Sequence, residues 1–399
     1  MVENLSINKA YQYLLIILAF LMPLTVFGAN LIIVIICVLW LFSGDYASKF
    51  NQIISNKFIL ASIVFFFLHV VGLLWTEDLS WGVHIVHKMW YFLLLLPVLF
   101  TIVRREHIKF YISAFLLAIT FTEIASYLVW FEIIEPFKNA TVRNPTPFMS
   151  HISYNPILAF AIYLVLHEIF FNKKITNLVF SLYSFFAISM SINMFITGGR
   201  AGQVMYFAML AIIVFQFFNN QKIKSLLLIS VLIPGIFFTA YTTSDLFQQR
   251  VDMAVKNIIS YSDNKSTSVG LRITFALNSW DVIKENPIIG IGTGDFPMEY
   301  KKINQINTPG LPNATNPHNM YTLVVMQLGV LGLISLLSIF YYQIKLSFNS
   351  SNRLIRDVGI TLPLLFLVIM WSDSYLLGHY TTLMFVFFSS FLYKDFEKS

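Results

Sequence analysis

The sequence predicts an all-α, polytopic membrane protein of about twelve transmembrane helices, with one long and partly helical extramembrane loop. Three observations predict it. Apolar residues make up 57% of the chain and charged residues only 12%, about half of the ~25% that a soluble domain carries. Forty phenylalanines and a positive mean hydropathy leave more apolar side chain than one soluble core could hide, so much of the solvent must be lipid. Apolar runs long enough to cross a ~30 Å hydrocarbon layer recur through the chain, separated by short polar breaks.

Taken in order, residues 1–241 hold runs at 11–27, 29–43, 58–75, 89–103, 109–131, 152–171, 175–195, 201–218 and 224–241. The first resembles a secretory signal, with Lys9 ahead of an apolar stretch. The next run follows at once without a small-residue cleavage site, so 11–27 is read as a membrane helix. Residues 242–318 form the one sizeable segment outside the membrane. There Phe247, Val251, Ala254 and Ile258 recur at helical spacing, as an amphipathic helix on a bilayer or bundle surface would have them. A second helix is expected from about Leu271 to Glu285, ending at Asn286-Pro287. The remainder, up to Pro317, reads as a loop rich in Gly, Pro and Asn, and long ordered loops are usually functional. Residues 319–399 hold runs at 319–343, 358–372 and 375–393 and a short tail.

An even number of spans puts both termini on one side. The loops of that side carry fifteen basic residues, from Lys9 to Lys398, whereas the short loops opposite carry four: Lys88, Lys138, Arg143 and Arg200. The positive-inside rule makes the rich side cytoplasmic and the 242–318 segment periplasmic. That segment balances seven basic against seven acidic residues, so any anion selectivity there must come from particular arginines. The net charge of +6 is scattered between apolar runs rather than interleaved with aromatics on one face, which argues against nucleic acid. The lone Cys37 allows no intramolecular disulfide. No His/Asp/Glu cluster has metal-ligand spacing, so neither metal nor cofactor is expected, and no internal repeat is evident.

Candidate chemistry gathers on the periplasmic side. In Asn316-Pro317-His318-Asn319, Asn316 suits an N-cap and Pro317 the first helical position, which would put His318 in the first turn of the tenth span. The positive helix end there favours a neutral imidazole, the form a general base needs; the alternative is an interfacial histidine bonded to headgroups. Arg200, after Thr197-Gly198-Gly199, opens the eighth span, where exposed backbone N–H groups and a guanidinium suit a diphosphate; the alternative is a snorkelling arginine. Arg272, with Trp280 eight residues on, could join it on one diphosphate, or simply be a solvated helix residue. His151 and Tyr154 start the sixth span and either line the cavity or anchor the interface. Gly290-Ile291-Gly292-Thr293-Gly294 lacks a βαβ setting and reads as a tight turn rather than a nucleotide loop. Glu123, inside the fifth span, is costly there and has no evident partner.

Several motifs together resemble the O-antigen ligase and polymerase superfamily. They are Gly198-Gly-Arg-Ala-Gly202, Leu271-Arg-Ile-Thr-Phe-Ala276 with Trp280, Asn286 to Phe296, and Pro317-His318-Asn319 ahead of Gly329-Val-Leu-Gly332. Their order and spacing carry the resemblance over residues 195–335, and the topology extends it to the whole chain. The resemblance implies a GT-C-like fold and a glycosyltransferase of the bacterial inner membrane. It would pass a glycan from undecaprenyl diphosphate to a sugar hydroxyl of lipid A-core on the periplasmic face, without nucleotide or metal. His318 matches the proposed base, and Arg200 and Arg272 the arginines on the diphosphate; Arg143, His151, Tyr154, Trp280 and Asn319 are expected around the substrate. One departure is Gln327, where the family often has an acidic residue. O-antigen polymerase and protein O-oligosaccharyltransferase are alternatives within the superfamily, and a polysaccharide transporter or flippase is one outside it.

Overall fold

A computed structural model describes residues 2–396, with the side chains of 7–396; Lys398 lies outside them. In chain order the α-helices are α1 (Val2–Leu21), α2 (Val26–Phe42), α3 (Tyr46–Ser55), α4 (Lys57–Val71), α5 (Leu79–Lys88), α6 (Leu96–Ile102), α7 (Ile108–Trp130), α8 (His151–Phe171), α9 (Asn177–Ile196), α10 (Arg200–Phe218), α11 (Lys222–Thr243), α12 (Asp245–Ile259), α13 (Ser268–Glu285), α14 (Phe296–Asn307), α15 (Met320–Phe348), α16 (Arg353–Ile369) and α17 (His379–Leu392). Among the described residues the only β-type pairing is an isolated bridge between Thr141 and Asn144.

Each of the twelve expected runs falls on a helix, but among the described residues length and composition qualify eight stretches as spans, or nine if α2 and α3 count as one. The expected count of twelve is not reached on that measure. The shortfall lies in short helices: α2, α16, α17 and the apolar part of α1 are each under 18 residues, or less than ~27 Å at 1.5 Å per residue. The run expected at 11–27 is cut at Leu21 because Pro23 disfavours helix at the residue before it. Thr25 then caps α2, its hydroxyl accepting from Gly28 N–H. Another difference is α14, a twelve-residue helix inside the stretch expected to be loop. Its signals are modest: Pro297 at the start, and Phe296, Tyr300 and Ile303 at helical spacing in an otherwise polar segment.

The chain divides into two units, residues 1–43, 103–251 and 350–365 in one and 44–102, 252–349 and 366–399 in the other. In the first, α8 packs against both α9 and α10, while α1 lies on α2 and α7, and α11 on α10. The α8–α10 approach is close enough that a Cβ at Gly202 would sit 2.1 Å from Asn155 Cβ. Only glycine fits there. Glu123 is buried in α7 beside Ser189, and neither carboxyl oxygen makes an aligned hydrogen bond.

In the second unit α15 runs along α4, and α13 packs on α14 and α15. Phe275, Val282 and Ile283 of α13, Phe296 and Tyr300 of α14, and Leu323 and Met326 of α15 form one apolar cluster. The helix α15 is broken at Gly329 (φ 62°, ψ −158°), a conformation open essentially to glycine alone. Breaking a helix orphans carbonyls and N–H groups, and the segment after α13 satisfies them. Ile291 N–H donates to Met326 O (2.9 Å) and Gly292 N–H to Gln327 O (3.0 Å), while Val330 N–H donates to Pro287 O (2.9 Å) and Leu331 N–H to Ile288 O (3.3 Å). The tight turn expected at Gly290–Gly294 is thus a splint laid into a broken helix. Gln327 is buried and donates from Nε2 to Thr293 O (2.5 Å), which gives the side chain at the departing position a structural bond. Asp295 closes the same segment, accepting from the backbone N–H groups of Glu77 and Asp78 at 2.8–3.0 Å.

Candidate active site

His318 does not lie in the first turn of a helix. The α15 N-cap is Asn319, whose Oδ1 accepts from Thr322 N–H (3.0 Å), so His318 precedes the cap. It adopts the left-handed region (φ 52°), uncommon for a non-glycine residue although histidine tolerates it better than most. The neighbouring side chains fix that conformation. Asn316 Oδ1 accepts from His318 N–H (2.8 Å) and from the Ser374 hydroxyl (3.0 Å), and Met320 N–H donates to Met370 O (2.9 Å). Asn316 therefore caps a turn rather than the helix. These bonds hold the 316–320 strand of chain against the 370–374 turn.

The consequence is a pair that spacing could not show. His318 Nδ1 lies 3.3 Å from Asp373 Oδ1, a close ionic contact though not aligned as a hydrogen bond. Nδ1 is shielded, whereas the side chain as a whole is 42% exposed, leaving the opposite edge with Nε2 to meet solvent. The ring stacks on Phe275 with centroids 6.2 Å apart and planes 25° from parallel. Burial raises the Asp373 carboxyl, but contact with His318, a hydrogen bond from Ser374 N–H (2.7 Å) and the charges of His318 and Arg272 outweigh it and hold it below the usual aspartate range. A carboxylate behind one imidazole nitrogen with the other nitrogen open is the arrangement of an oriented general base. The available signal for Asp373 was its position, a lone carboxylate between the last two apolar runs.

Arg272 stands one turn before Phe275 on α13, exposed, with its charge bearing on both Asp373 and Tyr375. The second unit thus gathers His318, Asp373 and Arg272. Trp280 is on the outer face of α13, 57% exposed, and Asn319 spends its carbonyl oxygen on the helix cap.

The first unit gathers a second set around the start of α10. Arg200 is the first residue of that helix and half-buried. Gly198 N–H donates to Asn144 Oδ1 (3.0 Å), which orients the amide so that Nδ2 donates to His151 Nδ1 (2.7 Å). His151 then carries its proton on Nε2. Arg250, on α12, lies against the same turn, its Nη2 3.2 Å from where a Gly198 Cβ would be, and its charge bears on His151. Sequence reasoning missed Arg250, since one arginine on an amphipathic helix looks like solvated surface. Tyr154 is 2% exposed and donates to Asn193 Oδ1 (2.9 Å) inside the helix packing, while Arg143 is exposed in the connection before α8. Gly199 and Gly202 are accounted for by the approach of α10 to Asn155.

Residues 185–337 match the O-Antigen ligase family. The matched stretch contains Arg200, Arg250, Arg272 and His318 as well as the splint and the break in α15. An uncharacterized protein of Haemophilus influenzae is 32% identical over 165 residues, a match covering 39% of this chain and 40% of that protein's length. The O-antigen ligase similarity thus falls on the residues that hold the candidate base, on a chain whose long apolar helices are those of a multi-pass membrane protein.

Proposed function

We propose that the protein transfers a glycan from undecaprenyl diphosphate to a sugar hydroxyl of lipid A-core, on the periplasmic face of the inner membrane, as an O-antigen ligase. The observation that carries this is His318 backed by Asp373, with Arg272 beside them, within and next to a stretch matching O-antigen ligases. A lipid diphosphate is already an activated leaving group, so the enzyme must supply position, a base and cationic stabilisation. His318 Nε2 takes the acceptor hydroxyl proton as that oxygen bonds to the anomeric carbon. The carbon–oxygen bond to the diphosphate breaks, and the diphosphate leaves with the electron pair. The imidazolium formed faces the Asp373 carboxylate, which offsets its charge. Arg272 is the proposed diphosphate ligand beside the base, Arg200 is proposed as an anion ligand on the resemblance alone, and attack opposite the leaving group inverts the anomeric configuration.

The test is complementation of a ligase-null strain with wild type and with His318→Ala, Arg200→Ala and Arg272→Ala. The expected result is a surface polysaccharide ladder from wild type alone, at equal membrane levels of all four proteins. Lipid-linked polymer should persist in the His318→Ala strain. Its disappearance would identify a polymerase instead, and a ladder from His318→Ala would overturn the catalytic assignment. A defined product retaining the anomeric configuration would refute direct displacement.

A further inference from the structure

In the first unit, α16 begins with Asn352-Arg353-Leu-Ile-Arg356-Asp357. Asn352 Oδ1 accepts from Ile355 N–H (3.2 Å) and so caps the helix. Arg353 and Asp357, four residues apart, then share one face. Asp357 is buried against α8, where His167 Nε2 lies 3.3 Å from its Oδ2. Arg353 Nε donates to the same oxygen (3.1 Å) and Arg356 Nε to Oδ1 (3.3 Å). Gln216 of α10 closes the seam, its Nε2 donating to Asp357 O (3.1 Å) and Thr361 Oγ1 (3.2 Å).

Two guanidiniums on one carboxylate leave a positive charge over, and the carboxylate decides where it points. Both arginines meet Asp357 through Nε, so their Nη edges turn away from it. Arg353 Nη2 donates to Gln216 O (3.3 Å), while Arg353 Nη1 and both Nη groups of Arg356 have no acceptor among the described residues. The two side chains are 49% and 40% exposed. An aromatic shelf lies beside them. Arg353 Cζ sits 3.9 Å from the ring centroid of Phe171, at the end of α8. Phe217, near the end of α10, is 6.3 Å from Phe171 and 5.5 Å from Phe170. Phe170 and Phe217 are exposed, on two helices long and apolar enough to cross a membrane. Lys173, Lys174, Lys222 and Lys224 follow those helix ends.

We propose that Arg353 and Arg356 bind the phosphodiester of an acidic phospholipid whose acyl chains lie on Phe170 and Phe217. The guanidinium fork matches phosphate oxygens, and basic pockets at the ends of membrane helices take anionic headgroups. The aromatic shelf selects a lipid over a free anion, because inorganic phosphate gains nothing from it. The surplus positive charge selects an acidic headgroup over a zwitterionic one, whose ammonium group already balances its phosphate. None of these residues belongs to the machinery proposed for glycan transfer, so the site stands whether or not that reading holds.

The test is native mass spectrometry of the full-length purified protein with phosphatidylglycerol, phosphatidylethanolamine or inorganic phosphate. Arg356→Gln removes one charge while Arg353 and His167 still hold Asp357. The double variant Lys173→Gln/Lys174→Gln removes two exposed charges from the same end and controls for bulk attraction. Wild type should retain phosphatidylglycerol more tightly than either other probe. Arg356→Gln should weaken that binding about tenfold, as the loss of one charge-assisted hydrogen bond would, and the lysine pair by no more than about twofold. Phosphatidylglycerol alone should also slow amide hydrogen exchange over residues 353–357 of wild type, a reading that needs no variant. Equal retention of the three probes, equal losses in Arg356→Gln and the lysine pair, or unchanged exchange over 353–357 overturns the proposal.

Discussion

Gly329→Ala tests the physical account of the second unit most directly. A Cβ at position 329 would lie 2.2 Å from the carbonyl carbon and oxygen of Ile288. Ordinary contact begins near 3.4 Å, so the 287–292 segment must withdraw by on the order of 1 Å. Withdrawal breaks at least the bonds from Val330 to Pro287 (2.9 Å) and from Leu331 to Ile288 (3.3 Å). Each is worth about 1 kcal/mol net, and a buried orphan costs more. The backbone conformation at Gly329 adds roughly 1–3 kcal/mol for any residue with a Cβ. The sum is a destabilisation of roughly 3–5 kcal/mol, read as a lowered unfolding midpoint of the detergent-purified full chain. Gly310→Ala is the control: a Cβ there meets nothing within 4 Å, and its effect should stay within about 0.5 kcal/mol. If Gly329→Ala melts with wild type and Gly310→Ala, the loop does not splint the break and the account fails.

Three further predictions concern carboxylates. Asp373→Asn keeps the shape beside His318 but removes its counter-charge, and should lower transfer about 10²-fold at normal membrane level, measured with purified lipid-linked donor and acceptor. The same variant should change the acid limb of stability. The folded carboxyl sits below its usual range, so the unfolded chain binds the proton more readily. Its stabilisation is therefore full above the ordinary value of ~3.9 and is lost as pH falls through the folded value. Melting curves between pH 3 and pH 6 should show that loss in wild type and a flatter profile in Asp373→Asn. Asp295→Ala removes the acceptor of two N–H groups, that of Glu77 shared between both carboxylate oxygens and that of Asp78, and should cost about 2 kcal/mol in the same melting assay, with Asp295→Asn costing less.

What the sequence revealed and what it hid divide along the range of the interactions. The helices α10, α12 and α13 were legible because capping residues, apolar spacing and the stop at Asn286-Pro287 are local. The start of α15 was misplaced because two asparagines three residues apart both make credible caps. Asn316 serves the His318 turn and Asn319 the helix. The pairing of Asp373 with His318 joins residues 55 positions apart through two turns, and no local pattern encodes that. Gly329 was legible as a motif residue, but its use was not, since a lone glycine in an apolar run is ordinarily a tolerated helix residue. Arg250 was hidden for a related reason, because its partner surface, the Gly198 turn, comes from another helix.

The break and the proposed base belong to one device. The first part of α15, Met320 to Leu328, is held at one end by the Asn319 cap and the Met320–Met370 bond, and at the other by the splint on Met326 and Gln327. A helix piece of nine residues would fray alone, being shorter than the ~12 needed for marginal stability. Fixed at both ends, and packed through Leu323 and Met326 against the cluster that includes Phe275, it becomes a rigid mount directly behind His318. Phe275 then contacts the imidazole ring, while the 370–374 turn that holds Met320 also supplies Asp373. A base must be held within about 0.5 Å of its working position. The residues that look merely architectural, Gly290, Gly292, Gly329 and Gln327, therefore act on the same requirement as Asp373. Loosening them would displace the imidazole before it unfolded the chain.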